Sequence, residues 1–544
     1  MNRVGTIAIL MIFCVASLNV ETKVIVNNTS PTFDFKDALF KNHTLSIWIE
    51  SINKETGNVI VNGLDTRCPS IPFTWDWGDG CIDEGFFPKR HTYVDTTKNY
   101  ILKVTSHYVD GSTDEAELLV RFVPPKIDFK LLPRNISVIV PNYKVSLKSR
   151  IPGYGAPKLT YFDDSFFSII NRTVVEYVLS VASQIQMDFA NDNVYLINGS
   201  FIQYLLRDVS FRGGYSLWYT EPVAFVMGDY MMRDSIPWSS LFHEMGHDIT
   251  LNSPADYIYG GKIDGYANAI FSESMAQIFQ HATAYEIINN AEKYGLSEDL
   301  VFEIKQSAIS SIIRVKNSYE HYINSGMKFS SWNDPRTIED ETFDTFMTIA
   351  YKFFEHAEKA DLGYRMPLKR MMVLLQTFCE KDKERYSRHR NSPEAEAFRA
   401  TLMVAALSFA FEKDLREEFR KLNFPISDEI YEELINRAKI TCNVSIDKPS
   451  NYLYILNRGV IKLPDNRTII IGKITIKIDA KSNIGIDKVE IYVDDELKET
   501  LTEKPYKWLW SEGIFGKHTI KAIAYDFADN IAVDSREIWI FNVG

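Results

Sequence analysis

Near the N-terminus, apolar and polar residues alternate at period two in residues 45–52 (LSIWIESI), 100–109 (YILKVTSHYV) and 115–123 (EAELLVRFV). Alternation of this kind predicts strands with one face in a core and the other in water. Between the first two runs the aromatic stretch Phe73-Thr74-Trp75-Asp76-Trp77 leads into Gly78-Asp79-Gly80, a turn signal, and His91-Thr92-Tyr93 follows. Pro124-Pro125 ends the pattern, because proline has no amide hydrogen to give a sheet. Strand-like segments resume around 134–147 and 193–227, the last reading GGYSLWYTEPVAFVMG. From Ser235 to about Leu434 the apolar period becomes that of helices. One of them opens at Ser392 with Pro393 in its first turn, a capping residue followed by a residue that needs no donor there. From about Lys448 alternation returns in 468–480, 488–499 and 518–530, broken by turn residues at Asp494-Asp495 and from Asp526 to Asn530. Strands, then helices, then strands predict a multidomain chain: an α+β middle flanked by two all-β sandwiches. At 544 residues the chain is too long for one core.

The densest chemistry lies in WSSLFHEMGHDITL, residues 238–251. Ser235 and Pro237 signal a helix start, and Leu241, Met245 and Ile249 form an apolar stripe. His243 and His247 are four apart, so a helix puts both imidazoles on one face, where they can address one metal ion. Glu244 lies beside them, within reach of a water held there. Gly246 leaves room for a close neighbour. Catalytic zinc sites keep three protein ligands and one open position, so a third ligand is expected. Glu273, 26 residues after His247, can return on a second helix packed by Ile270, Met275 and Ile278, with Ala276 small enough to let the helices approach. Asp256, nine residues after His247, is the other candidate. Tyr259 and Tyr266 are candidates to stabilise a developing oxyanion, and Asp248 and Asp264 to orient the histidines. Residues 223–227 read either as core or as an edge strand open to an extended peptide. His281, His321, His356 and His389 have no ligand spacing and read as structural.

Charge, the N-terminus and cysteine each add something. A formal net charge of −12 excludes a basic nucleic-acid-binding surface. Arg3 followed by the apolar residues 7–18 predicts a signal peptide over 1–22, hence export, and no other run is long enough to span a bilayer. Export makes disulfides expected, with Cys68–Cys81 and Cys379–Cys442 the pairings that stay within single predicted domains. Sequons at Asn28, Asn42, Asn135, Asn171, Asn198, Asn443 and Asn466 fit a glycosylated surface. Asp76 and Asp79 read as turn formers ahead of calcium ligands.

The residues above carry several resemblances. WDWGDG followed by HTY resembles a PKD repeat over 31–124, which implies a β-sandwich spacer or binding module. PYKWLW followed by GKHTIKAIAYDFADN resembles immunoglobulin-like modules of microbial secreted proteins over 450–544, with Trp508, Trp510 and Tyr525 as sandwich core. FHEMGHDIT, SESMAQIF and the later helix ending ALSFAFEKDLREEFRKLNFPIS resemble gluzincin metallopeptidases, nearest to the enhancin and mucin-degrading group with its HExGH motif and distant glutamate. Thr250 stands where that group carries glutamine. The stretch DYIYG from Asp256 resembles the D-x-x-Y-G of aspzincins, with Ser253-Pro254 in place of the usual glycine-threonine.

The gluzincin resemblance implies a zincin-like metallopeptidase domain over 126–446, with Zn2+ on His243, His247 and Glu273 and catalysis by Glu244; Tyr259 is the candidate taken beside it for the oxyanion. The expected protein is a secreted zinc metalloendopeptidase acting on a protein or glycoprotein. No nucleic acid and no membrane span in the mature chain are expected, and the flanking sandwiches are open to cell-surface or glycan contact. Two alternatives stand beside it: a surface adhesion or architectural protein with a vestigial peptidase domain, and an aspzincin-type peptidase using Asp256. The intact Glu244 argues against the first.

Overall fold

The computed structural model describes residues 35–543 except 41–42, 68, 70, 134, 152–154, 168–169, 193, 195, 229–235, 254–268, 332–339, 361–362, 388–391 and 466. The expected signal peptide, 1–22, lies outside the described residues. The protein is an α+β molecule carrying an immunoglobulin-like β-sandwich at its C-terminus. It divides into two compact units, one of residues 1–367 and 378–432, the other of residues 368–377 and 433–544.

In the first unit, the alternating N-terminal runs become two facing sheets. One orders the strands Leu45–Asn53, Asn58–Asp65 and Lys89–Thr92; the other orders Ile82–Gly85, Phe73–Asp76, Tyr100–His107 and Thr113–Val120. Their inward residues, among them Trp75, Trp77, Leu102 and Val104, share one core. The sandwich joins the rest of the unit through Arg121, whose guanidinium donates to Asp299 (2.7 Å) and Glu303 (2.9 Å).

The middle of this unit holds a four-stranded sheet in the order Gly214–Leu217, Val223–Gly228, Phe201–Asp208, Ile136–Ile139. The last three are parallel, and Gly214–Leu217 runs antiparallel to Val223–Gly228. The expectation of an edge strand at 223–227 is therefore corrected. That strand lies inside the sheet and all six of its residues are buried, as its unbroken apolar run suits. The two edges are Gly214–Leu217 and Ile136–Ile139. Parallel pairing between Ile136–Ile139 and Phe201–Asp208 needs a crossover, and the helix Arg172–Phe189 supplies it. This helix breaks the strands-first order read from the sequence. Asn171 caps it, accepting from the Thr173 amide at 3.0 Å, and Val174, Val178, Val181 and Ile185 bury its inner stripe.

The helices then follow as expected, among them Trp238–Thr250, Ala269–Asn289, Glu298–Asn324 and Pro393–Phe411. Ser392 caps the last by accepting from the Ala395 amide (3.2 Å), with Pro393 in its first turn. Trp238–Thr250 starts after Pro237 with no side-chain cap; instead the Ser239 amide donates to Ser307 Oγ of a neighbouring helix at 2.9 Å. Ser235 lies outside the described residues. No helix among the described residues is long and apolar enough to cross a membrane.

The second unit is a sandwich of a three-stranded sheet (Cys442–Lys448, Ile474–Ser482, Lys507–Trp510) and a seven-stranded one. Trp510, Ile476, Ile491 and Ile540 lie in its core, with Trp508 packed at its margin. Asp494 and Asp495 take positive φ angles (49° and 65°) at the expected turn. Cys81 and Cys442 carry thiols, so neither expected disulfide is formed; Cys68 lies outside the described residues.

Candidate functional site

The helix Trp238–Thr250 presents both histidines inward, and the helix Ala269–Asn289 brings Glu273 against them. His243 Nε2 and His247 Nε2 are 3.1 Å apart. Glu273 Oε2 lies 3.2 Å from the first and 3.3 Å from the second. The rings stand at 89° with centroids 4.7 Å apart, so two nitrogens converge without stacking. All three residues are buried. The helices approach because Gly246 faces Ala276: a Cβ on Gly246 would lie 3.2 Å from the Ala276 Cα. Met275 and Ile278 bury the other faces of the second helix.

This donor set fits a zinc-class ion. Bonds of about 2.0–2.2 Å to imidazole nitrogen and carboxylate oxygen, arranged tetrahedrally, place neighbouring donors about 3.3–3.6 Å apart. The three atoms already stand at 3.1–3.3 Å. Burial also prepares the protonation states. It lowers His243 below the ordinary imidazole value and takes His247 down to about 3, so both rings are neutral, as ligation demands. Burial raises Glu273, a cost that a cation at the site would reverse.

Glu244 is buried beside this cluster. Burial, then the nearby carboxylates of Glu273 and Asp248, push it well above the usual carboxylate range. Its Oε2 has no hydrogen-bond partner among the described residues. On its other side sits Gly214 of the edge strand, where a Cβ would lie 2.7 Å from Glu244 Oε1. This glycine was not singled out from the sequence. The doublet Gly213-Gly214 opening an alternating strand was the available signal, since a glycine inside a strand often marks close approach.

Asp248 was expected as an orienter of the histidines. Both its oxygens instead face the sheet: Oδ2 accepts from Gln203 Nε2 (3.1 Å) and Oδ1 accepts from Ser216 Oγ. Gln186 Nε2 donates to the Phe242 carbonyl at 2.9 Å. Polar residues on three elements, Gln186, Gln203 and Ser216, thus fix the rotation of the histidine helix, a role that sequence spacing did not reveal. Thr250, where the resembled group has glutamine, donates to the Gly246 carbonyl (2.8 Å). Asp256, Tyr259, Asp264 and Tyr266 lie outside the described residues.

Residues 460–522 match the model of a family described as a bacterial Ig domain. No curated protein matches the chain. Among solved structures, a protein of unknown function from Bacillus anthracis str. Ames is similar at 8% identity, covering 92% of this chain and 91% of that one with a TM-score of 0.32. The ZmpB metallopeptidase of Clostridium perfringens is similar at 10% identity over 90% of this chain and 91% of that one, TM-score 0.25. The M60 catalytic domain of Clostridium perfringens ZmpC, solved with the sialyl T antigen, is similar at 9% identity over 91% of this chain and 93% of that one, TM-score 0.23. These overlays are loose.

Proposed function

We propose that the protein is a secreted zinc metalloendopeptidase of the gluzincin kind, acting on protein or glycoprotein chains. One observation carries this reading: donor atoms of His243, His247 and Glu273 meet at 3.1–3.3 Å in a buried site beside the carboxyl of Glu244. Those three residues would hold the ion. Bound there, zinc would supply Lewis-acid chemistry, polarising a scissile carbonyl and making water a better acid.

The chain's own residues do the rest. Glu244 serves as general base, with Oε2 as the atom that takes the proton, and then returns it to the leaving amine. The antiparallel edge strand Gly214–Leu217, which touches Glu244, is the strand available to pair with an extended peptide. Tyr259 is assigned the oxyanion. In this reading residues 1–22 are a signal peptide, 31–124 a PKD-like spacer, 126–446 the peptidase and 450–544 an immunoglobulin-like module. The flanking modules contact cell surface or glycan.

The test is digestion of an unfolded protein and of a glycoprotein by wild type and by Glu244→Gln. Loss of a general base predicts a fall of about 10²–10⁴-fold with metal content unchanged. Equal cleavage by both proteins overturns the reading, and cleavage of neither leaves the adhesion alternative in its place.

A further inference from the structure

The N-terminal sandwich carries, on its WDWGDG hairpin and the strand Lys89–Thr92, a second group of donors that the peptidase reading does not use. Asp79, Cys81 and His91 each offer one ligand atom, and these atoms all lie within 4.8 Å of one another. Asp79 divides its oxygens between two tasks. Oδ1 accepts from the Cys81 amide at 3.0 Å and so shapes the turn, while Oδ2 faces His91 Nε2 at 2.7 Å. The imidazole is held before any ligand arrives: it stacks on Trp77 (4.5 Å, 13°) and meets Tyr93 edge-on (4.7 Å). The Tyr93 hydroxyl donates to the Trp77 carbonyl at 2.9 Å, tying those two walls together. The side chains of His91 and Asp79 are 14% and 16% exposed, while Cys81 faces solvent and leaves an entry.

We propose that Asp79, Cys81 and His91 form a binding site for a zinc-class divalent ion, separate from the His243–His247–Glu273 centre. The donor chemistry selects the ion. One sulfur, one imidazole nitrogen and one carboxylate oxygen suit zinc and its neighbours. Calcium, the ion that Asp76 and Asp79 first suggest, takes about six to eight oxygens and would find one here. Asp76 is a turn residue, its Oδ1 accepting from the Gly78 amide at 3.0 Å. Coordination releases one proton, that of the Cys81 thiol, and moves the His91 N–H from Nε2 to Nδ1. It replaces the Asp79–His91 hydrogen bond with two bonds to the ion. The bound ion would then clip the hairpin to the His91 strand, with a fourth position open to water or a partner's side chain.

Cobalt(II) is the probe, used on the full chain. A thiolate bound to cobalt gives an intense near-ultraviolet charge-transfer band; the buried centre contains no sulfur, so the band reports a cysteine site, and Cys81→Ser separates the hairpin from the free thiols of Cys379 and Cys442. We expect cobalt added beyond the one equivalent that the buried centre takes up to produce this band, excess zinc to bleach it, and Cys81→Ser to abolish it with the thermal midpoint unchanged. His91→Gln should weaken cobalt binding at the hairpin by at least about tenfold. Absence of the band in the wild type, or its survival in Cys81→Ser, overturns the proposal. Because the substitution is at an exposed position, that variant decides the matter even if His91→Gln destabilises the sandwich. Peptidase activity is read separately, so either proposal can fail without the other.

Discussion

His243, His247 and Glu273 on one hand, and Asp79 and His91 on the other, both bring imidazole within hydrogen-bond reach of carboxylate, but on opposite sides of the solvent boundary. The first group is 2–7% exposed and its members come from two helices. The second joins a hairpin, whose own turn positions Asp79, to the strand Lys89–Thr92 of the facing sheet, which carries His91 twelve residues later. In the buried group, desolvation decides the protonation states: the histidines are neutral and the acids are raised. At the hairpin the acid is lowered, since contact with His91 and the Cys81 amide outweighs a partial burial that would raise it. The same residue types are thus primed for a strong ligand in one place and need none to be stable in the other. The buried group is assembled at an energetic cost, which tertiary packing has to offset.

The comparison breaks most visibly when a buried donor is removed. Glu273→Gln or His247→Ala should lower metal affinity by more than about 100-fold, beyond the range of outer-shell changes, and abolish hydrolysis; metal analysis after dialysis checks the first. Gly214→Ala comes next. A methyl 2.7 Å from Glu244 Oε1 must displace that carboxylate, so kcat should fall by up to about 100-fold with metal content intact. Unchanged turnover would mean that Glu244 is not the proton carrier. Third, Ser216→Ala leaves one oxygen of buried Asp248 without its donor and should cost about 1–3 kcal/mol in chemical denaturation, with metal stoichiometry unchanged. By contrast, Asp79→Asn on the hairpin should cost no more than about 1 kcal/mol, as measured by the same denaturation.

A third histidine–carboxylate contact sits between these extremes and gives a pH prediction. His356 Nε2 lies 3.1 Å from Glu418 Oε2. Contact with His356, then with Lys352, holds Glu418 down to about 2. A folded pKa below the unfolded one contributes stability that is present above the unfolded value and lost as pH falls toward about 2. Glu418→Gln should therefore cost its full, constant amount of stability in the neutral region, a cost that shrinks as pH falls below the ordinary glutamate range, so that the acid limb of the stability profile flattens. A parallel displacement of the two curves at every pH would refute the linkage.

Much of the architecture could be read from local patterns. Alternation located the strands of both sandwiches, and helical spacing located Trp238–Thr250 and Pro393–Phe411, because side-chain period follows directly from backbone geometry. The helix Arg172–Phe189 escaped notice despite its Asn171 cap. The order of the four central strands was hidden for a different reason. A fully buried strand such as Val223–Gly228 reads as a plain apolar run whether it is central or at an edge. The disulfide expectation failed because even cysteine numbers and export speak of compartment, whereas bridging needs close Cβ positions.

By itself the sequence determined the parts of the site that lie within one helical turn. His243 and His247 share a face, with Glu244 next to them, because 3.6 residues per turn leaves no other arrangement on a helix. Only the tertiary structure decided what meets that face. Glu273 enters because Gly246 and Ala276 let two helices close on each other, Gly214 abuts Glu244 from the edge strand, and Asp248 turns to Gln203 and Ser216 on the sheet. Those contacts join residues roughly 30 or more positions apart in the chain, from Glu244 with Gly214 to Asp248 with Gln203. No periodicity encodes them, since they depend on how separate apolar faces pack to a common density.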